Sequence, residues 1–134
     1  MMTAVDSSVL FDIVKGASGA LAAQQALEKA LDGGSLCVCA VVVAELGRYF
    51  RSDKNLLDFL ADCHIDYSSM HEEAAMEAAR IMRLYARNKG PKVRVAPDFL
   101  IGAHAARQAG ALLTTDAGFF RQYFKGLAVV SPES

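Results

Sequence analysis

The chain has 134 residues and a formal net charge of −1, and 53% of its residues are hydrophobic. This length fits a single domain over residues 1–134, and a mean hydropathy of +0.22 favours a sheet buried on both faces and is compatible with an apolar dimer interface. No apolar run reaches the roughly 20 residues that span a bilayer, the longest being 36–44. No basic segment precedes the first acid, Asp6, so the amino terminus does not resemble a secretory signal and we expect a cytoplasmic protein without membrane contact.

The three cysteines are an odd count in a chain without an export signal. Free cysteine is among the most buried residue types, so Cys37 and Cys39 are expected to be apolar core thiols. The pair Cys63 and His64 lacks a second ligand pair at zinc-finger spacing and is only a weak indication of zinc.

Charge is distributed unevenly along the chain. Residues 1–79 carry five basic and twelve acidic side chains, whereas residues 80–134 carry nine basic and three acidic ones. Such asymmetry indicates a polyanionic partner or an oppositely charged protein, although a solvated helix face explains part of it. The basic residues of the second half are Arg80, Arg83, Arg87, Lys89, Lys92, Arg94, Arg107, Arg121 and Lys125.

Strands and helices alternate along the predicted structure, which implies a parallel sheet and an α/β architecture. In chain order, the patterns predict strand 2–5, a helix from 7 to about 14, helix 20–31, strand 35–39, a helix from about 41 to 50, helix 55–63, strand 65–67, helix 71–88, a loop at 89–96, helix 97–108, strand 111–115, a short helix from 117 and strand 124–130.

Several polar residues at the predicted junctions have two interpretations. Ser7 or Ser8 is expected to cap the first helix. Glu45 either points over the ends of the strands or pairs with Arg48 three residues later. Asp116 follows an apolar strand and, considered alone, is more often a helix cap than a catalytic acid.

Four acids stand at comparable places in the pattern. Asp6 and Asp116 follow strands, Asp98 begins a helix, and Glu45 lies in the first turns of a helix after a strand. In a right-handed βαβ topology these junctions lie at one edge of the sheet. Converging carboxylates repel unless neutralised, and a hard divalent cation such as Mg²⁺ or Mn²⁺ is the natural counter-charge.

The sequence also resembles a known family. The segments at 3–10, 43–46, 97–105 and 113–119 are similar to the motifs of PIN-domain ribonucleases, most closely the VapC-like toxins of toxin–antitoxin pairs. The resemblance covers essentially the whole chain. Ala40 and Ser8 depart from the common pattern, in which many relatives have a hydroxyl residue and Asn, respectively.

The resemblance implies a three-layer α/β/α PIN-like domain with a central parallel sheet of four or five strands. It implies an Mg²⁺- or Mn²⁺-dependent endoribonuclease that forms a homodimer and is inhibited by a cognate antitoxin. By position, the catalytic acids would be Asp6, Glu45, Asp98 and Asp116, with Asp6, Asp98 and Asp116 as metal ligands. Ser8 and Thr114 would be hydroxyls that hold carboxylates or a phosphate oxygen.

Cations and aromatic rings are candidates for contact with RNA. Positively charged grooves track single-stranded backbones without sequence readout, and the candidates for this role are Lys89, Lys92, Arg94 and Arg121. Phe119 and Phe120 offer rings for base stacking, although burial of at least one is expected.

Other interpretations predict different outcomes. His104 lies off the acidic face of its helix by the 3.6-residue period, so a structural role is expected. The leading alternative function is a non-catalytic PIN-like module that binds RNA or protein through the basic half. A phosphoacceptor receiver also clusters strand-end acids, but Asp98 and Asp116 lie too late in the chain for that pattern.

Overall fold

The computed structural model describes residues 1–88 and 94–132. These residues form five strands and seven helices. In chain order they are β1 (Met2–Val5), α1 (Ser7–Lys15), α2 (Ala20–Gly33), β2 (Ser35–Val38), α3 (Ala40–Gly47), α4 (Asp53–Asp62), β3 (Ile65–Tyr67), α5 (Glu72–Asn88), α6 (Ala96–Gln108), β4 (Ala111–Leu113), α7 (Ala117–Tyr123) and β5 (Ala128–Val130).

All five strands form one parallel sheet in the order β3-β2-β1-β4-β5, flanked by the helices. This confirms the predicted α/β/α architecture. The first strand is central, with Ala4 paired to Cys37 of β2 and to Leu112 of β4. The chain runs outward from β1 through β2 to β3 and then returns to the other side through β4 and β5. The order therefore reverses between β1 and β4, and ligands of open α/β sheets bind at such a switch point.

The central strands are apolar because both faces of the sheet are covered. Val5, Leu36, Val38, Leu112 and Leu113 are each at most 1% exposed and lie in one continuous core. β5 forms one edge of the sheet, and its Ala128 and Val130 are exposed.

Strands β4 and β5 are shorter than the sequence pattern predicts. β4 ends at Leu113, so residues 114–116 form the turn into α7 instead of continuing the strand. Phe119 and Phe120 of α7 are both buried, at 6% and 1% exposure, in a cluster of edge-to-face aromatic rings. Their buried rings are core groups, and base stacking by them would require α7 to open.

In the described residues, no helix is both long enough and apolar enough to cross a membrane.

Candidate active site

The fold delivers the four predicted acids from four different elements. Asp6 joins β1 to α1, and Asp116 lies three residues after β4. Glu45 lies on α3, which follows β2, and Asp98 is in the first turn of α6. β1 and β4 are paired neighbours, so Asp6 and Asp116 lie beside the switch point of the sheet.

Asp6 is 7% exposed and is held by two hydroxyl groups. Ser8 Oγ donates to Asp6 Oδ2 at 2.9 Å, and Thr114 Oγ1 donates to the same oxygen at 2.7 Å. Hydrogen bonds to a carboxylate are stronger than neutral ones, and they compensate for its burial. Both bonds go to Oδ2, so neither is made to Oδ1.

The same two hydroxyls fix the turn that carries Asp116. Thr114 Oγ1 accepts from the backbone N–H of Asp116 at 2.9 Å, and Ser8 Oγ accepts from that of Thr115 at 3.2 Å. The backbone N–H of Asp6 also donates to Leu113 O at 2.9 Å. The β1–α1 junction and the β4–α7 turn are therefore one hydrogen-bonded unit.

Ser7 binds Glu45, a contact that the sequence analysis missed. Ser7 Oγ donates to Glu45 Oε1 at 2.7 Å, which links α1 to α3. The predicted cap by Ser7 or Ser8 is wrong, because Asp6 is the N-cap residue of α1 and both hydroxyls bond to acids instead. Ser7 thereby holds Glu45 next to the junction at Asp6. This is the position expected if Glu45 points over the ends of the strands.

Arg94 bridges the remaining two acids. Its Nη1 donates to Asp116 Oδ2 at 2.5 Å and lies 3.6 Å from Asp98 Oδ2. Its guanidinium also lies over the ring of Phe119, 4.3 Å from the centroid. Asp116 occupies the N-cap position of α7, but its side chain makes no capping bond within the described part of the chain. Arg94, four residues before Asp98, is at a spacing that signals an ion pair.

The electrostatics place three of the acids in one neighbourhood. Burial raises the pKa of Asp98, the Arg94 charge opposes this effect, and the charges of Asp6 and Asp116 raise it further. The hydrogen bond to Asp116 raises the pKa of Arg94 in turn. Asp6, Asp98 and Asp116 thus repel one another, and Arg94 offsets part of that repulsion.

The donor set matches a hard cation in its chemistry. Three carboxylates supply the oxygen ligands that Mg²⁺ and Mn²⁺ prefer, and the hydroxyls already orient one of them. Over residues 1–88 and 94–132, however, no three His, Cys, Asp or Glu side chains are spaced as a group that could hold a metal ion. In this conformation Asp98 and Asp116 are arranged around a guanidinium.

The predicted RNA-binding cations have different surroundings. Arg94 lies among the acids, whereas Arg121 Nη2 donates to Val129 O at 3.0 Å, at the outer edge of β5. Lys89 and Lys92 lie outside the described residues.

His104 has the structural surroundings that its position on the helix predicts. The side chain is 1% exposed, and Nε2 lies 2.9 Å from Ser68 Oγ. One turn later, Gln108 accepts from the backbone N–H of His71 and donates to Ser69 O. This side of α6 therefore fixes the segment between β3 and α5.

The cysteines are free, and Cys37 and Cys39 are buried as expected. Burial raises the pKa of the Cys37 thiol to about 11, so it remains protonated at neutral pH. A protonated core thiol is neither a ready nucleophile nor a metal ligand.

A cavity of about 300 Å³ lies away from the acids, between α2 and strands β1, β4 and β5. Its lining is mainly apolar and includes Lys29 but no carboxylate. The cavity therefore lacks the carboxylate oxygens that characterise the site of the four acids.

Comparisons with known proteins bear on the family and the fold of the chain. The model of the PIN domain family matches residues 3–125. None of the curated protein sequences is significantly similar to the chain.

Solved structures share the fold at low sequence identity. VapBC2 from Rickettsia felis, bound to a DNA fragment from its promoter, gives a TM-score of 0.77 at 13% identity, with 99% of this chain and 100% of that chain covered. VapBC-1 from nontypeable Haemophilus influenzae gives 0.73 at 14% identity, covering 98% of both chains. VapBC-5 from Mycobacterium tuberculosis, a member of the VapBC family of toxin–antitoxin systems, gives 0.60 at 23% identity, covering 99% and 98%.

Proposed function

Because the chain belongs to the PIN domain family, we propose that it is a metal-dependent endoribonuclease that acts as the toxin of a toxin–antitoxin pair. The proposal rests on one observation. Four acids from four different elements lie together at the switch point of the sheet. A merely structural set of helix caps would bond to the backbone of its own helix. Here the carboxylates instead accept from Ser7, Ser8, Thr114 and Arg94.

In this proposal Asp6, Asp98 and Asp116 would hold Mg²⁺ or Mn²⁺. When bound, the ion would polarise the scissile phosphate and acidify the attacking water. Ser8 and Thr114 orient the Asp6 carboxylate by donating to Oδ2, and neither of these two bonds occupies Oδ1. Glu45, fixed by Ser7, orients the attacking water.

The proposed substrate is RNA, contacted along its backbone by cations of the second half of the chain. Lys89, Lys92 and Arg121 would contact phosphates directly. Arg94 would do so only after leaving Asp116, to which it is bonded. Binding of this kind weakens as salt is raised, because each phosphate contact releases counterions.

The proposed protein partner is an antitoxin, as in the toxin–antitoxin relatives that share the fold. The neighbouring open reading frame should then encode a small DNA-binding protein with a basic tail. Co-expression of that protein should yield a complex and suppress cleavage. We also propose that the chain forms a homodimer, which sedimentation of the purified protein would test.

Cleavage of RNA by the purified protein tests the proposal. Transfer RNA, ribosomal RNA and messenger RNA would be incubated with Mg²⁺, with Mn²⁺ or with a chelator. We expect internal cuts with at least one of the two metals and none with the chelator. Cutting that persists in the chelator would contradict the proposed metal dependence.

A non-catalytic RNA- or protein-binding module is the second candidate. The observation in its favour is that Arg94 pairs with Asp116 and Asp98, so two of the four acids have a counter-charge without a metal ion. RNA binding without cleavage in either metal would establish this module and reject the nuclease.

A further inference from the structure

The position of Arg94 among the acids is not explained by RNA binding or by folding of α6 alone. The residue precedes α6, whose N-cap is Val95, and its side chain is 23% exposed. It donates to Asp116 Oδ2, lies near Asp98 Oδ2 and stacks on Phe119. Three contacts, one with α6 and two with α7 and its N-cap residue, therefore hold one guanidinium in the acidic site.

We propose that Arg94 is the built-in counter-cation of the acidic site and competes with the divalent ion for Asp98 and Asp116. This inference rests on the proposed function, because it concerns the metal that the nuclease would use. Arg94 occupies Oδ2 of Asp116 and lies near Oδ2 of Asp98, so a divalent ion that takes these oxygens must displace the guanidinium. Arg94 is a positioning residue, and it sets the metal concentration at which the site becomes loaded.

The shape of the acidic network supports competition in preference to cooperation. Asp6 is bound by neutral hydroxyls, which do not repel a cation, whereas Asp116 is bound by a full positive charge. A divalent ion that approaches from the Asp6 side would meet the positive charge of Arg94 and be repelled. Loading therefore requires the side chain to leave Asp116.

The ring of Phe119 holds the Arg94 guanidinium in the acidic site when no metal is bound. Its ring is 6% exposed and packs edge-to-face against Phe99 and Phe120, so it cannot follow Arg94 outward. The cation–π contact adds to the ion pair and stabilises the metal-free arrangement. The same aromatic face explains why an arginine suits the position better than a lysine, since a planar guanidinium stacks on the ring while its Nη1 pairs with the acids.

Metal binding to the purified protein tests this role independently of RNA cleavage. Calorimetric titration with MnCl₂ would compare the wild type with Arg94→Gln. Removal of the competing charge should tighten Mn²⁺ binding on the order of tenfold, which corresponds to about 1.4 kcal/mol. Arg94→Lys keeps the charge and should bind Mn²⁺ more nearly as the wild type does.

Arg107→Gln is the matched control. Arg107 also pairs with an acid, since its Nη2 donates to Glu77 Oε1 at 2.6 Å between α6 and α5. Its removal should leave Mn²⁺ affinity unchanged, which separates the position of Arg94 from a general loss of positive charge.

Thermal unfolding supplies a second measurement on the same variants. In chelator, Arg94→Gln should be less stable than the wild type, because Asp98 and Asp116 lose their counter-charge. In saturating Mn²⁺ the difference should shrink or reverse. An equal deficit in both conditions would overturn the competition and leave Arg94 a structural residue.

The outcomes separate the two proposals. Equal Mn²⁺ affinity of the wild type and Arg94→Gln would overturn the role of Arg94 and leave the nuclease proposal standing. Failure of both proteins to bind Mn²⁺ or Mg²⁺ would overturn the metal site itself and the competition with it.

Discussion

Thr114 contacts two of the four acids through a single hydroxyl group. Its Oγ1 donates to Asp6 and accepts from the backbone N–H of Asp116, and the side chain is fully buried. Thr114→Val keeps the shape but removes the acceptor of the Asp116 N–H and one of the two donors to Asp6 Oδ2, leaving Ser8 as the other. We expect the free energy of unfolding to fall by about 1–3 kcal/mol. RNA cleavage should fall by roughly 10- to 100-fold, as for other groups that orient metal ligands.

Urea denaturation and cleavage kinetics of the purified variant would measure the two effects. Thr114→Ser retains the hydroxyl and should stay close to the wild type in cleavage. Wild-type cleavage by a folded Thr114→Val protein would show that the hydroxyl does not organise the acids.

His104 makes the stability depend on pH. Burial lowers its pKa, and the nearby His71 lowers it further. Above about pH 6.5, the pKa of an unperturbed histidine, the ring is neutral in both the folded and unfolded states. Below that pH the unfolded chain takes up a proton that the folded chain resists. The free energy of unfolding should therefore fall as the pH falls below about 6.5.

His104→Gln removes this titration and keeps a polar group facing Ser68. Urea unfolding at pH 7.5 and pH 5.5 would measure the loss of stability in each protein. The loss should be smaller in the variant than in the wild type. An identical loss would assign the pH dependence to other groups.

At the scale of elements, α6 is held by close packing as well as by polar contacts. A Cβ atom on Gly102 would lie 2.5 Å from Cε2 and 2.6 Å from Cζ of Phe124, whose ring is 4% exposed. Gly102→Ala must therefore displace a buried ring or shift the helix. We expect the free energy of unfolding to fall by about 1–3 kcal/mol, as in other overpacked cores.

Gly33→Ala is the matched control for this prediction, because a Cβ at Gly33 meets nothing within 4 Å. It should be neutral or stabilising by up to about 1 kcal/mol, since alanine restricts the unfolded chain. Circular dichroism during urea unfolding would compare the two. Equal stability of both variants would mean that the Phe124 ring can move aside without lowering the free energy of unfolding.

The elements themselves could be predicted from the sequence because they follow short-range patterns. Short apolar segments followed by polar residues predicted all five strands, and helical spacing predicted the helices between them. The errors lie mainly at the ends of the elements. β4 ends early because Thr114 turns towards Asp6, a contact across 108 positions of the chain. No local pattern contains that information, and the same holds for the Ser7 bond to Glu45.

At the scale of the whole molecule, part of the excess positive charge of the second half is compensated by ion pairs within the chain. Arg80 and Arg107 pair with Glu77 and hold its pKa below the usual value, and Arg94 pairs with the acids of the site. The composition predicted a basic half, but it could not predict which cations serve the fold. A count of charges therefore overstates the surface that remains for a polyanion.

The convergence of the acids is the part of the site that topology made predictable. Parallel strands place their carboxyl ends at one edge, so acids after β1 and β4 had to become neighbours once the strands paired. The role of Arg94 depends on rotamers and on the β4–α7 turn, and its four-residue spacing from Asp98 could have indicated only that these two side chains are close. The fold topology therefore predicts that the acids lie close together, whereas the position of Arg94 among them is seen only in the structure.

In the proposed nuclease, Asp6, Asp98 and Asp116 form one metal-dependent site that cuts RNA. The most direct measurement is the Mg²⁺- or Mn²⁺-dependent cleavage rate of Asp6→Asn and Asp98→Asn, beside Asp58→Asn, which changes an exposed acid paired with Lys54 on α4. We expect loss of cleavage in the first two variants, with their circular dichroism unchanged, and a wild-type rate in the third. Undiminished cleavage by a folded Asp6→Asn or Asp98→Asn protein would contradict this expectation.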